Sequence, residues 1–218
     1  MMLKRLIVVS SLLLMLAGCG STTRGPTLNA SGYIADNGVV RVWTKVSGDN
    51  QPIRLMRVYT PYSGETISTY YEYLAGKLSL IRSNVQNSEK LPQILLRLDA
   101  EGNPSFMERK LPERNEQLSS DDILRLKYEE QRTLMASRSL SAGDIRLHQG
   151  YIRDGSIITC QGETVTPTFS AEEQSWINKR ISNGGFISLA WLTAPRGIQL
   201  LLVANENFCQ WEPSLDAF

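Results

Sequence analysis

From Ser31 to Leu111 the apolar residues recur at alternate positions over short runs, and clusters of Gly, Pro, Asn, Asp and Ser break each run from the next. Period two over three to nine residues, bounded by turn formers, is the pattern of half-buried strands. Seven runs follow this rule: Tyr33–Ala35, Val39–Lys45, Ile53–Tyr59, Thr66–Leu74, Leu78–Val85, Gln93–Asp99 and Pro104–Leu111. The first two flank Asp36-Asn37-Gly38, a hairpin signal because Asn and Gly tolerate positive φ. Short turns throughout favour an antiparallel meander. Arg and Ser alternate with apolar residues in many runs, which predicts one wet sheet face. At Leu118 the period changes. Ser119 or Ser120 opens a helix as its cap, Asp121 and Asp122 complement its dipole, and Gly143 closes it. Leu124, Tyr128 and Met135, flanked by Ile123 and Leu134, form the expected buried stripe, with Asp121–Arg125 and Arg125–Glu129 as outward i,i+4 pairs. Strands return from Ile145, with an Asp154-Gly155 turn. Ser170 and Glu173 form a capping box for a short helix over Ala171–Ile181. An apolar hairpin then turns about Pro195-Arg196-Gly197. The fold class read from this text is α+β and mainly β. It comprises an N-terminal antiparallel meander of about seven strands (31–113), one linking amphipathic helix (114–143) and a small C-terminal antiparallel β unit with a short helix (144–218).

The N-terminus follows a different pattern. Lys4 and Arg5 precede a mainly apolar run, Leu6–Gly18. Thirteen helical residues span about 20 Å, too short for a hydrocarbon core of about 30 Å but right for the apolar region of a signal peptide. The run ends in Leu16-Ala17-Gly18-Cys19, which resembles the bacterial lipobox. There the cysteine thiol takes a diacylglycerol, since sulfur is the alkylated atom, and small residues before it admit the peptidase. The expectation is a signal peptide over 1–18 and a lipidated Cys19 that holds the mature protein on a membrane through its acyl chains, each buried CH₂ contributing about 0.8 kcal/mol. By resemblance to enteric lipoproteins, Gly20 after the cysteine, where Asp would retain the protein in the inner membrane, favours the outer membrane, facing the periplasm. Residues 19–30, small and polar, read as a flexible tether.

Charge then narrows the partners. Lys4 and Arg5 fall in the cleaved segment, so 23 cationic and 22 acidic side chains become a mature net charge of −1. That balance argues against nucleic acid. With Cys19 acylated, Cys160 and Cys209 remain. In an oxidising compartment they are expected to form a disulfide closing about 50 residues, worth about 4 kcal/mol by chain entropy. No C-x-x-C occurs, and His148, the one histidine, cannot complete a zinc site with two thiols.

Reactive motifs are missing as well. There is no G-x-S-x-G, S-x-x-K, H-E-x-x-H, G-x-G-x-x-G or Walker loop. The paired carboxylates at 121–122, 129–130 and 172–173 diverge by about 100° on a helix and read as solvated faces. His148 reads as a surface or hydrogen-bonded strand residue. Two aromatic groups remain. Tyr59, Tyr62, Tyr70, Tyr71 and Tyr73 either line a binding groove or pack across strands, the simpler reading. Phe208, Trp211 and Phe218 near the disulfide are either a docking patch or core, with Phe208 favoured as core and Trp211 open. Tyr70, Tyr71, Tyr73 and Trp211 are the candidate binding patch.

The phrases "SGYIADNGVVRVW", "FMERKL…QLSS", "TCQGE", "AWLTAPRGIQLLLVAN" and "FCQWEP" resemble the YjaH-like family of lipoproteins from enteric bacteria and vibrios. That family is known as one of unknown function, so the resemblance implies no catalytic residue. The reading at this level is a non-enzymatic outer-membrane lipoprotein without cofactor or metal, a binding or assembly factor for an envelope protein. The alternative is a carrier of an apolar ligand or lipoprotein, with a curved sheet and a helical lid.

Overall fold

A computed structural model describes residues 24–85, 93–216 and 218. The signal-peptide and lipobox residues, Cys19 among them, lie outside these. An eight-stranded antiparallel meander is ordered β1 to β8 along the chain: β1 (Thr27–Ala35), β2 (Gly38–Val46), β3 (Pro52–Pro61), β4 (Ile67–Leu74), β5 (Lys77–Val85), β6 (Gln93–Leu98), β7 (Pro104–Lys110) and β8 (Asn115–Glu116). Helix α1 (Ser120–Ala142) follows. The second sheet has the order β11-β10-β9-β12-β13, from β9 (Arg146–Arg153), β10 (Ser156–Thr159), β11 (Thr164–Val165), β12 (Ser188–Ala194) and β13 (Gly197–Ala204). Helix α2 (Ala171–Ser182) separates β11 from β12, and a 3₁₀ turn, Phe208–Trp211, follows β13. No helix of the described residues is long and apolar enough to cross a membrane.

The mainly β class and the seven longer strands of the first sheet match the sequence pattern. Four details differ. Strand β1 begins at Thr27, inside the segment expected as tether, because Thr27–Ala30 pair with Trp43–Val46. The β1–β2 turn is Asp36-Asn37, and neither residue has positive φ. Gly38 is instead the first residue of β2, where a Cβ would lie 2.4 Å from the Thr60 carbonyl oxygen. Glycine is required there by close approach of strands, not by turn geometry. At Asp154-Gly155 both residues do have positive φ, 50° and 76°, as the hairpin signal predicts.

The third difference is the face α1 buries. Leu124, Tyr128 and Met135 point outward, 65%, 65% and 61% exposed, while Leu126, Glu130, Thr133 and Ser137 are buried. The inner face carries polar groups because each is hydrogen-bonded, Thr133 to the Glu129 carbonyl of the helix itself and the others to the sheet. Thr44 shares a 2.8 Å hydrogen bond with Ser137, and Tyr73 donates to Glu130. Hydrophobicity alone would have turned the helix the other way. Its start is Ser119, whose hydroxyl accepts from the Asp122 amide. Asp122, rather than Asp121, takes the ion pairs, 2.7 Å from Arg109 and 2.8 Å from Arg125.

The fourth is layering. Val40, Val42, Leu55, Tyr71, Ile81 and Leu96 pack with Leu126 under α1. The opposite face of the same strands, Val39, Trp43, Met56 and Val58, packs on Leu147, Ala190, Leu192 and Leu201 of the second sheet. That sheet's outer face, Leu189, Trp191 and Leu200, packs on Ile177 of α2. The order through the molecule is therefore α1, first sheet, second sheet, α2, with one core shared between the sheets. Strand β2 is buried on both faces, which explains its nearly continuous apolar text. A wet face survives over β4–β7, where Arg82 lies over Tyr70 at 5.1 Å and Arg97 over Phe106 at 5.9 Å.

Candidate functional site

Where α1 crosses the open ends of β4–β7, side chains from both enclose a cleft of about 550 Å³. The end of β4 supplies Tyr73 and the start of β5 Lys77 and Leu78; the end of β6 and its turn to β7 supply Leu98 to Gly102; α1 supplies Lys127, Glu130, Gln131, Leu134, Met135 and Arg138. The first turn closes on Ala75-Gly76, both at positive φ. In the second, the Asp99 carboxylate accepts from the amides of Glu101 and Asn103 at 3.0 and 2.7 Å, which holds its own pKa below the ordinary carboxylate value. Lys127 and Lys77 donate to the carbonyls of Gly102 and Ala100, at 2.6 and 3.1 Å, and so fasten this turn to the helix and to β5.

On the inner wall Glu130 is buried, 7% exposed, and accepts a 2.5 Å hydrogen bond from the Tyr73 hydroxyl. Burial raises the Glu130 carboxyl, against the lowering effects of Tyr73 and Arg138. Burial and then the Glu130 charge raise the Tyr73 phenol, so the proton stays on tyrosine. The cleft thus has apolar walls from Leu78, Leu98 and Leu134, one shielded carboxylate, and charges of both signs around them, Lys77, Lys127 and Arg138 with Asp99 and Glu101. Apolar lining with a few converging polar groups is the composition of ligand sites. No Ser, Thr, Cys or His lines it, and among the described residues no cluster of three His, Cys, Asp or Glu could hold a metal ion. A second hollow, about 410 Å³, lies between Trp176, Lys179 and Arg180 of α2 and Leu200–Val203 of β13. No shielded carboxylate lines it.

A buried cation lies between the sheets. Arg41 on β2 has no exposed surface, yet its guanidinium is held by named partners. It donates to Gln149 Oε1 at 2.7 Å and Thr60 Oγ1 at 2.9 Å, and lies 4.3 Å from the ring of Phe208 and 4.9 Å from that of Trp211. Gln149 passes the interaction on, donating through Nε2 to Glu212; Thr60 does so through Thr66 to Glu206. Burial lowers the Arg41 pKa to about 10, with Glu206 and Glu212 opposing the shift, so it remains charged at neutral pH. Burial likewise raises both carboxyl groups. Arg41 and Gln149 at its centre are closed to solvent, and the node joins the two sheets.

The Cys160–Cys209 disulfide is formed, with Cα atoms 5.2 Å apart. It borders the Arg41 node: the Cys160 amide donates to the Gln149 carbonyl, and Cys209 sits in the turn between Phe208 and Trp211. The aromatic patch expected from sequence is not assembled. Tyr71 and Trp211 are buried, 0% and 2% exposed, and strand alternation sends Tyr70 to the face opposite Tyr71 and Tyr73. Of the four, Tyr73 alone lines the cleft. Phe208 and Phe218 are core. His148 shares a 3.0 Å hydrogen bond with Thr193 and stacks on Trp191, and burial lowers its pKa. Leu16, Ala17, Gly18, Cys19 and Gly20 lie outside the described residues. Sequence reasoning missed Arg41, although a lone Arg inside "VVRVW" was a signal, and missed Glu130, which reads as half of a solvated Glu-Glu pair.

The phrases that carried the family resemblance meet in space, since Arg41, Cys160, Phe208, Trp211 and Glu212 all belong to them. Uncharacterized protein YjaH of Escherichia coli (strain K12) is 36% identical over 209 residues, which cover 94% of this chain and 89% of that protein. No solved structure matches the chain. Residues 30–214, both sheets and both helices, match a family described as "Protein of unknown function (DUF1481)", and the chain belongs to that family.

Proposed function

We propose that this chain is a lipoprotein held on the outer membrane through acyl chains on Cys19, and that its folded part is a non-enzymatic binding or assembly factor in the periplasm. The observation that carries the binding role is the cleft under α1, with its apolar walls and its shielded Glu130–Tyr73 pair. The disulfide suits an oxidising compartment. The lipobox supplies the anchor and Gly20 the sorting signal. The occupant of the cleft is an amphiphilic group of an envelope component, an apolar part against Leu78 and Leu98 and a polar end at Glu130. The carrier reading stays second. A helix does lie over the sheet, but Leu126, Tyr71, Ile81 and Leu96 fill the space beneath it, so the cleft is the volume it would have to use.

Two experiments test this. Palmitate labelling of wild type and Cys19→Ser should give label in wild type alone; equal label would refute the anchor. A photo-crosslinking residue at Glu101, on the cleft rim, should give one reproducible adduct in intact cells that Leu134→Trp, which fills the cleft, removes. A residue at Glu163, in the turn between β10 and β11, should not give it. Identical adducts from both positions, or none, would refute the cleft as the binding site.

A further inference from the structure

The outward face of α1 meets the binding site just described only at its edge, through Met135 and Arg138. Leu124, Tyr128 and Met135 fall within about 40° of arc on the helix, each more than 60% exposed. Arg132 and Arg138 flank them, also exposed, as does Arg125, which is paired to Asp122. Asp121, at the first turn, is the acidic residue on this side. Being an outer layer of the molecule, α1 presents this face away from the protein, and nothing in the fold requires it to be apolar.

We propose that this face lies on an anionic phospholipid surface, the one in which the Cys19 anchor sits. The inference rests on the lipidation reading and extends it to the protein's orientation. Three observations point to lipid as the occupant. The first is charge: an apolar stripe edged by arginines, with a tyrosine in it, is the composition of helices that lie in the bilayer interface. The second is where the anchor enters. Leu28 and Asn29, at the start of β1, share a hollow with Ser141 and Asp144 at the C-terminal end of α1. The third is reach. Seven residues, Gly20–Pro26, separate Cys19 from β1, so even a fully extended connection spans at most about 29 Å. The helix, with 23 residues, is about 34 Å long. The C-terminal end of α1 therefore stays within the reach of that connection from the membrane, while α2 lies on the far side of both sheets. In this orientation the cleft, whose rim includes Met135 and Arg138, opens beside the lipid headgroups.

The test uses the full chain, purified as the lipoprotein and reconstituted into vesicles of phosphatidylethanolamine and phosphatidylglycerol, 7:3 by composition. Its native cysteines are acylated or bonded, so a fluorophore goes on a single added cysteine, at Met135→Cys on α1 or at Lys179→Cys on α2. Lipids carrying a shallow nitroxide quencher should quench the Met135 label strongly and the Lys179 label little. The variant R132E/R138E should weaken the difference about tenfold or more, with an unchanged circular dichroism spectrum. Equal quenching at both positions, or none at Met135, overturns the proposal. Close approach of two Met135 labels in separate molecules also overturns it, since the face would then be a contact between copies. Mass spectrometry of the N-terminal peptide separates this from failure of the anchor. If Cys19 proves unacylated, the lipidation reading falls, and the same chain should still sediment with these vesicles in low salt. Loss of that sedimentation in R132E/R138E and on phosphatidylcholine alone supports the docking face; no sedimentation at all refutes it.

Discussion

Replacing Arg41 by Met keeps most of the side-chain volume and removes the charge between the sheets. Two charge-assisted hydrogen bonds disappear, to Gln149 at 2.7 Å and Thr60 at 2.9 Å, each worth about 1.5–3 kcal/mol. The contacts with the rings of Phe208 and Trp211 add about 2 kcal/mol in a desolvated setting. Against this, the guanidinium no longer has to be taken out of water, a recovery of several kcal/mol. What the variant cannot recover is the pairing of the groups left behind. Gln149 Oε1 faces an apolar thioether, and Glu206 and Glu212 lose the cation that opposes the burial shift on each. The net expectation is a loss of about 3–5 kcal/mol, the range for breaking one side of a buried charged pair. Urea unfolding followed by tryptophan fluorescence measures it, because Trp43 and Trp211 are both in this core. A double-mutant cycle with Glu212→Gln should return a coupling of about 1 kcal/mol or more. A loss below about 1 kcal/mol, or additive effects of the two changes, would refute the account of Arg41 as the clamp between the sheets.

Changing both Cys160 and Cys209 to Ser should cost about 4 kcal/mol for a loop of this length and loosen both sheets together, since Phe208 and Trp211 belong to the shared core; limited proteolysis that spared the meander would contradict this. Gly38→Ala should destabilise by about 2 kcal/mol, because its Cβ would meet the Thr60 carbonyl, whereas Ala at the open Gly102 should cost about 1 kcal/mol through its positive φ alone; chemical denaturation ranks the two. Stability should also depend on pH with a definite sign. Burial raises the carboxyl groups of Glu130, Glu206 and Glu212 above their ordinary 4.5, so ionising them opposes folding at neutral pH and that penalty vanishes as they are protonated. Hydrogen bonds lower Asp99 and Asp122 below their ordinary 3.8, a contribution lost at more acid pH. His148, held below its ordinary 6.5 by burial, opposes this because the unfolded chain takes up that proton first. With three raised carboxyl groups against one histidine, melting temperature should rise as the pH falls from 7 and fall again once the aspartates are protonated; a maximum at neutral pH would refute the assignment.

The sequence by itself determined the elements whose causes are local. Period-two text bounded by turn formers marked the seven longer strands of the first sheet, Ser170 with Glu173 marked the start of α2, and Gly143 the end of α1. Each of these depends on neighbours a few residues away, so the chain carries the information within one window. The two cysteines and the compartment implied by the lipobox sufficed for the disulfide. Only the tertiary structure decided which surfaces meet. The inward face of α1 is polar because Tyr73 and Thr44, more than fifty residues upstream, offer hydrogen bonds there, and no helical period reports that. Gly38 reads as a turn glycine until β3 comes within contact of it. Arg41 reads as a solvent-facing strand residue until the second sheet brings Gln149, Phe208 and Trp211 over it. In each case the deciding energy is a contact between distant segments, created when the layers stack.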